Sequence, residues 1–171
     1  EILGMAFATF AAVFLAIFLV YSVGIRTSVI GVSMEPTLSS GQRILINRIF
    51  YTISPPERGD IIVFKPEGSQ SSHYYVKRVV AVPGETVQIM NGRLYVDGIP
   101  EEDQVYDKME EAGIAENEIL LGNNEYFVLG DNRNSSEDSR SANIGPVRRE
   151  NIYGKAWFHL GNSDTVAGWI E

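Results

Sequence analysis

A mainly β, antiparallel domain behind one N-terminal transmembrane helix is the architecture that this 171-residue sequence predicts. Three observations carry it. Ile2 to Ile25 holds no charged side chain and is bounded by Glu1 and Arg26. Beyond Arg26 the chain is a series of short runs rich in β-branched and aromatic residues. Glycine- and proline-rich turns separate those runs, and little of the chain reads as helix.

The segment 2–25 is long enough for a bilayer core, which takes ~20 apolar residues in a helix. A cleavable leader would have a shorter apolar run, a basic start and a small-residue cleavage site. The chain begins at Glu1 rather than Met, as expected of a fragment. Taken alone, Arg26 and Arg43 on the C-terminal flank weigh towards a cytoplasmic main domain. Residues 26–171 suffice for one domain with its own core.

Strands are expected at 42–47 and 60–65, each introduced by a glycine (Gly41, Gly59). Residues 74–82 read as a third strand, stopped by the turn pair Pro83-Gly84. Residues 86–90 and 93–96 flank Asn91-Gly92, a hairpin signal whose two turn positions take positive φ. Asp97-Gly98 marks the next turn, and 126–129 and 152–159 read as further strands. Between them, 100–124 lacks alternation and is expected as an acidic surface insertion, irregular or briefly helical.

Composition excludes several classes. The formal net charge is −8. Glu101, Glu102, Asp103, Asp107, Glu110, Glu111, Glu116 and Glu118 face Lys108 alone within the insertion, so the rest of the chain is nearly neutral. No basic face suggests nucleic acid. The absence of cysteine removes a disulfide framework and a thiolate zinc site. No metal or other cofactor is expected.

Ser33 stands out as a candidate nucleophile in Ser33-Met34-Glu35-Pro36-Thr37-Leu38, a proline-stiffened turn. Eight extended residues reach at most roughly 29 Å, so Ser33 lies near the end of the apolar segment. A serine hydroxyl needs a base. His73 and His159 sit in no recognisable catalytic setting and read as exposed or packed side chains. Lys77 lies among apolar strand residues that would desolvate an ammonium and favour the neutral amine. The competing reading is an edge-strand lysine reaching to water. Strand alternation puts Tyr75, Lys77 and Val79 on one face and Val76, Arg78 and Val80 on the other.

A third segment, Gly130-Asp131-Asn132-Arg133-Asn134-Ser135-Ser136-Glu137-Asp138-Ser139-Arg140, comes directly after the strand at 126–129. An EF-hand is excluded by Arg133 at a ligand position and by the missing glycine at loop position six. Asn134-Ser135-Ser136 matches a glycosylation sequon, a pattern common by chance. The segment reads either as a turn-rich loop or as one whose hydroxyls and ion pairs hold a neighbouring catalytic group.

These segments together resemble the bacterial type I signal peptidases, membrane-bound Ser/Lys proteases, over nearly the whole chain. The resemblance rests on four motifs in order: the Ser33 to Leu38 turn; Gly41-Gln42-Arg43-Ile44-Leu45-Ile46-Asn47-Arg48; Arg58-Gly59-Asp60-Ile61-Ile62-Val63-Phe64-Lys65 continuing to Tyr75-Val76-Lys77-Arg78-Val79-Val80; and the Gly130 to Arg140 loop. It implies a barrel-like β peptidase domain on the extracytoplasmic side of the cell membrane, anchored by a single pass. Ser33 is implied as nucleophile, Lys77 as general base, and Ser136 as the hydroxyl that orients the lysine amine. Asp138 with Arg140, and Asp131 with Arg78, are implied as structural support. The Ser33 N–H is implied as one oxyanion donor.

Gly31 departs from members with a hydroxyl residue there and resembles the Gram-positive branch, which leaves the second donor unassigned. Gln42 stands where many relatives carry Asp. Implied partners are signal-peptide-bearing pre-proteins, cut after small residues of the Ala-X-Ala kind, and membrane lipid. Val29, Ile30, Gly31, Met34, Leu38, Tyr75 and Val76 are expected to line shallow pockets along an extended substrate. Met34 is also expected to rest on lipid. The alternatives are a self-cleaving repressor-type Ser/Lys peptidase and a membrane-anchored β domain that binds without catalysis. The former should carry a DNA-binding domain and an internal cleavage site.

Overall fold

The computed structural model describes residues 2–68, 73–102, 106–162 and 165–170, with the side chains at 2, 19, 21 and 23 excepted. Helix α1 spans Ile2–Val23. Strands β1 (Ile25–Ser28) and β2 (Arg43–Asn47) precede a single helical turn, α2 (Phe50–Ile53). Then come β3 (Ile61–Phe64), β4 (Tyr75–Ala81), β5 (Thr86–Met90), β6 (Arg93–Val96) and β7 (Ile99–Pro100). A 3₁₀ turn at Gly113–Glu116 leads to β8 (Ile119–Leu120), β9 (Glu125–Leu129) and β10 (Val147–Arg148). A second 3₁₀ turn opens β11 (Ile152–His159), and β12 (Gly168–Trp169) closes the series.

The main sheet is antiparallel, in the order β1-β2-β11-β3-β4-β9-β10, with β12 on β11. Among the described residues it stays open, since β1 and β10 end the path. β3 sits near its middle and is buried at every position. Ile61 and Val63 join Val29, Met34, Leu38, Ile44, Ile46 and Val76 in one cluster. Ile62 and Phe64 join Tyr51, Val79, Tyr126 and Val128 in another. A strand with apolar side chains on both faces needs core on both sides, which accounts for its unbroken Ile-Ile-Val-Phe run.

The second sheet, β7-β6-β5-β8, lays Val87, Ile89, Leu94 and Val96 against Val80, Ala81, Phe127 and Leu129. Its central hairpin turns at Asn91 (φ 52°) and Gly92 (φ 77°), pairing Met90 with Arg93. The acidic insertion is not wholly irregular: Ile119–Leu120 adds a strand to β5. Asp103 lies outside the described residues.

The apolar segment differs from expectation at its end. Helix α1 stops at Val23, and Ile25 already pairs with Ile46 across β1 and β2. Leu3, Phe7, Phe10, Phe14 and Ile17 are exposed along α1. Among the described residues no helix is long and apolar enough to cross a membrane.

Candidate active site

Ser33 sits in the connection between β1 and β2. That connection continues the ladder at its base, where Val29 N donates to Gln42 O and Gly41 N to Val29 O, each at 2.8 Å. Beyond that base the chain takes a helical turn, with Leu38 N donating to Met34 O at 2.8 Å. Met34 and Leu38, one turn apart, point the same way and are both 0% exposed. They anchor the turn in the core and leave Ser33 half-buried at its edge.

Lys77 comes from the middle of β4, opposite Ile62 of β3, and is 3% exposed. Its Nζ donates to Ser33 Oγ at 2.7 Å. As a neutral amine the same atom can accept the hydroxyl proton along the same line. Burial pushes the Lys77 amine down to about 8, against the opposing pull of Asp138, Glu137 and Asp131. Burial dominates because the apolar surroundings solvate an ammonium poorly, while the carboxylates offset only part of that loss.

Arg78 points the other way, as adjacent strand residues must. It pairs across the ladder with Leu129, which puts Asp131, two residues on, within reach. Arg78 Nε donates to Asp131 Oδ1 at 2.8 Å and Nη2 to Oδ2 at 2.9 Å, and Nη1 reaches Gly59 O at 2.8 Å. Thr37 of the Ser33 turn donates to the same carboxylate at 2.5 Å. Asp131 therefore ties β4 to the serine turn, a link through Thr37 that the sequence did not suggest.

Asp138 and Arg140 form a second buried fork, with Nε to Oδ1 and Nη2 to Oδ2 both at 2.9 Å. Asp138 Oδ2 also accepts the Gly130 N–H at 3.1 Å. Ser136 does not make the bond to the lysine amine that the resemblance implied. Its buried hydroxyl has no hydrogen-bond partner among the described residues. A Cβ on Gly130 would lie 2.2 Å from that hydroxyl and 2.4 Å from Ser33 O, so three backbone segments meet here at a distance only glycine allows. Asn132 N donates to Ser33 O at 3.1 Å and completes the contact. Gly130 was missed as a site residue, since a glycine after a strand reads simply as a turn.

Beside the serine and lysine lies a cleft of about 590 Å³. Val29, Ile30, Gly31, Tyr75 and Val76 line it as expected. Met34 and Leu38 do not, being in the core, and a buried Met34 cannot rest on lipid. His73, Tyr74, Val32 and Glu137 line it instead. Gly31 takes φ +88°, and its N–H donates to Ser40 Oγ at 3.3 Å, so that N–H already has an acceptor.

Gln42 is accounted for by its surroundings. It is buried, its Oε1 accepts the Ser39 N–H at 3.0 Å, and its Nε2 reaches His159 Nδ1 at 2.8 Å and Thr165 Oγ1 at 3.2 Å. With Oε1 committed to an N–H, the amide nitrogen must donate and His159 Nδ1 must accept. His159 is thus packed in a polar link, while His73 stands in the cleft.

A half-exposed serine hydroxyl held against a buried lysine amine, beside an apolar cleft on an antiparallel sheet, is chemically equipped for histidine-free nucleophilic attack. The comparisons place the chain within a known family. Residues 2–160 match the signal peptidase family, peptidase S26, and the chain belongs to it. It is 36% identical over 134 residues to a probable signal peptidase I-1 of Synechocystis, covering 75% of this chain and 66% of that protein. It is 37% identical over 136 residues to a signal peptidase I of Bacillus amyloliquefaciens, covering 75% of this chain and 69% of that protein. The Bacillus match supports the branch that Gly31 suggested. The chain spans about two thirds of the length of these relatives. The solved structure of a signal peptidase I from Enterococcus faecalis is 26% identical, covers 60% of this chain and 97% of that one, and has a TM-score of 0.46.

Proposed function

We propose that this chain is a membrane-bound serine endopeptidase that removes signal peptides from exported pre-proteins with a Ser33/Lys77 dyad. The observation that carries the reading is the 2.7 Å contact between Lys77 Nζ and Ser33 Oγ, made by a lysine whose burial favours the neutral amine. Neutral Lys77 takes the Ser33 proton as Oγ bonds to the scissile carbonyl carbon. The C–N bond then breaks, the amine leaves with the proton from Lys77, and an acyl-enzyme remains. Water activated by Lys77 hydrolyses that ester and frees Ser33. The Ser33 N–H, which has no partner among the described residues, is positioned to steady the oxyanion, a term of ~3–4 kcal/mol where such a donor is removed.

Substrate enters as an extended strand along the cleft, with small side chains against Val29 and Val76. Short side chains of the Ala-X-Ala kind suit such apolar walls. Helix α1 lies in lipid on this reading, since its exposed phenylalanines and leucines have no charged neighbour in residues 2–25. The β domain is then extracytoplasmic, where precursors emerge.

The test is processing of a pre-protein with an Ala-X-Ala site by the full chain in vesicles. Cleavage is expected to vanish in Ser33→Ala and in Lys77→Ala while both keep the wild-type circular dichroism. Cleavage surviving in either folded variant would end the dyad reading.

A further inference from the structure

The acidic insertion is bound repeatedly to the loop that faces Lys77. Arg133 is 2% exposed, and its guanidinium is held in a fork by Glu101, with Nη1 to Oε2 at 2.7 Å and Nη2 to Oε1 at 3.0 Å. Tyr106 covers the same guanidinium at 4.0 Å. Asn134 accepts the Glu110 N–H at 3.0 Å and donates to Lys108 O at 2.9 Å. Arg140 donates to Glu111 O at 3.2 Å and accepts the Ile114 N–H at 2.9 Å.

From Arg133 the connection runs inward. Its carbonyl accepts Arg140 Nη2 at 2.5 Å, and Arg140 grips Asp138. Asp138 in turn accepts the N–H of Gly130, the residue in contact with Ser33 O. A buried guanidinium that loses its carboxylate cannot stay where it is without a large cost. Removing Glu101 therefore releases the segment whose carbonyl and carboxylate fix the catalytic loop.

We propose that Glu101 is a positioning residue for catalysis, acting through Arg133 and Arg140 to hold Asp138 and Gly130 against Lys77 and Ser33. The proposal rests on the Ser33/Lys77 reading. Asp138, Glu137 and Asp131 are the carboxylates that pull the Lys77 amine upward. When the loop loosens, the Asp138 share of that pull weakens and the amine titrates lower.

The experiment uses the full chain in detergent micelles and a peptide with an Ala-X-Ala site. In Glu101→Gln, kcat is expected to fall ~5- to 20-fold with KM within about twofold, as misplacement of a catalytic group does. The acid limb of the kcat–pH profile should move to lower pH by ~0.3 unit or more as one carboxylate's influence is lost. Glu102→Gln, next along the chain and without an ion pair among the described residues, should match wild type in both. Wild-type kcat with an unmoved limb in Glu101→Gln overturns the proposal, as does lowered kcat with an unmoved limb, the mark of a merely structural clamp. If Glu101→Gln melts below assay temperature, Glu101→Asp keeps the charge on a shorter arm. It should lose less kcat in the same direction, and wild-type kcat there overturns the proposal as well. Ser33→Ala assayed alongside separates the two levels: residual cleavage in that variant refutes the dyad, whatever Glu101 does.

Discussion

Lys77 decides the pH behaviour at the scale of single residues. An amine lowered to about 8 is mostly charged at pH 7, so kcat should rise with pH through a limb near 8. A limb only near ~10.4, the ordinary lysine value, would contradict a buried base. Stability has a fixed sign too. The folded amine titrates below the ordinary 10.5, so between about 8 and 10.5 the unfolded chain binds more protons, and folding strengthens as pH rises across that window. Below it, burying the ammonium costs on the order of 3 kcal/mol at ~1.4 per pKa unit. Lys77→Met removes that cost. Urea denaturation should find Lys77→Met more stable than wild type at pH 7, with the gap narrowing towards pH 10.5. A gap independent of pH would show that Lys77 is not desolvated. Lys77 and Ser33 were legible because a lysine inside an apolar β run and a serine in a proline-stiffened turn are chemically unusual. Gln42 was not, since its partners Ser39 and His159 meet only in the folded chain.

Elements show where the sequence signal stops. The strands at 42–47, 60–65, 74–82 and 152–159 could be read because runs of this length carry their own pattern, and β11 spans Ile152–His159 as expected. Two-residue strands such as β8 and β10 have no period to read, and their pairing with β5 and β9 is a tertiary event. β1 was absorbed into the apolar segment because Ile25 is as apolar as the helix before it. The lining role expected for Met34 and Leu38 failed for a related reason. A helical turn hidden in a loop sends both inward, and the motif alone does not announce it. The junction of β9 with the serine turn carries its own prediction. In Gly130→Ala the new methyl meets Ser33 O and the Ser136 hydroxyl at contact distances that no Cβ tolerates. The hydroxyl can rotate away, but a backbone carbonyl cannot, so Ser33 must shift relative to Lys77. Peptide cleavage should fall ~10²-fold or more, the scale set by a displacement of about 1 Å, while circular dichroism keeps its β signature. Near-normal kcat in Gly130→Ala would mean that the serine turn yields without cost.

At the scale of the whole molecule, no α1 side chain enters the β domain's core clusters among the described residues. Arg48 N donates to Ser22 O at 2.9 Å where the two meet, and the core clusters draw on residues from Ile25 onward. A chain beginning at Ile25 should therefore fold to the same β spectrum and cleave a short soluble peptide at close to the wild-type kcat. What it should lose is the target held in a bilayer. On the proposed reading, anchored enzyme and anchored signal peptide share a thin layer of membrane, and that confinement raises their effective concentration without any new contact. Processing of a vesicle-inserted pre-protein should thus drop by ~10²-fold or more in the shortened chain, with peptide cleavage as the internal control. Loss of both activities would mean that α1 supports the fold. Retention of both would mean that the cut is made away from the membrane, and that the exposed apolar surface of α1 serves some other contact.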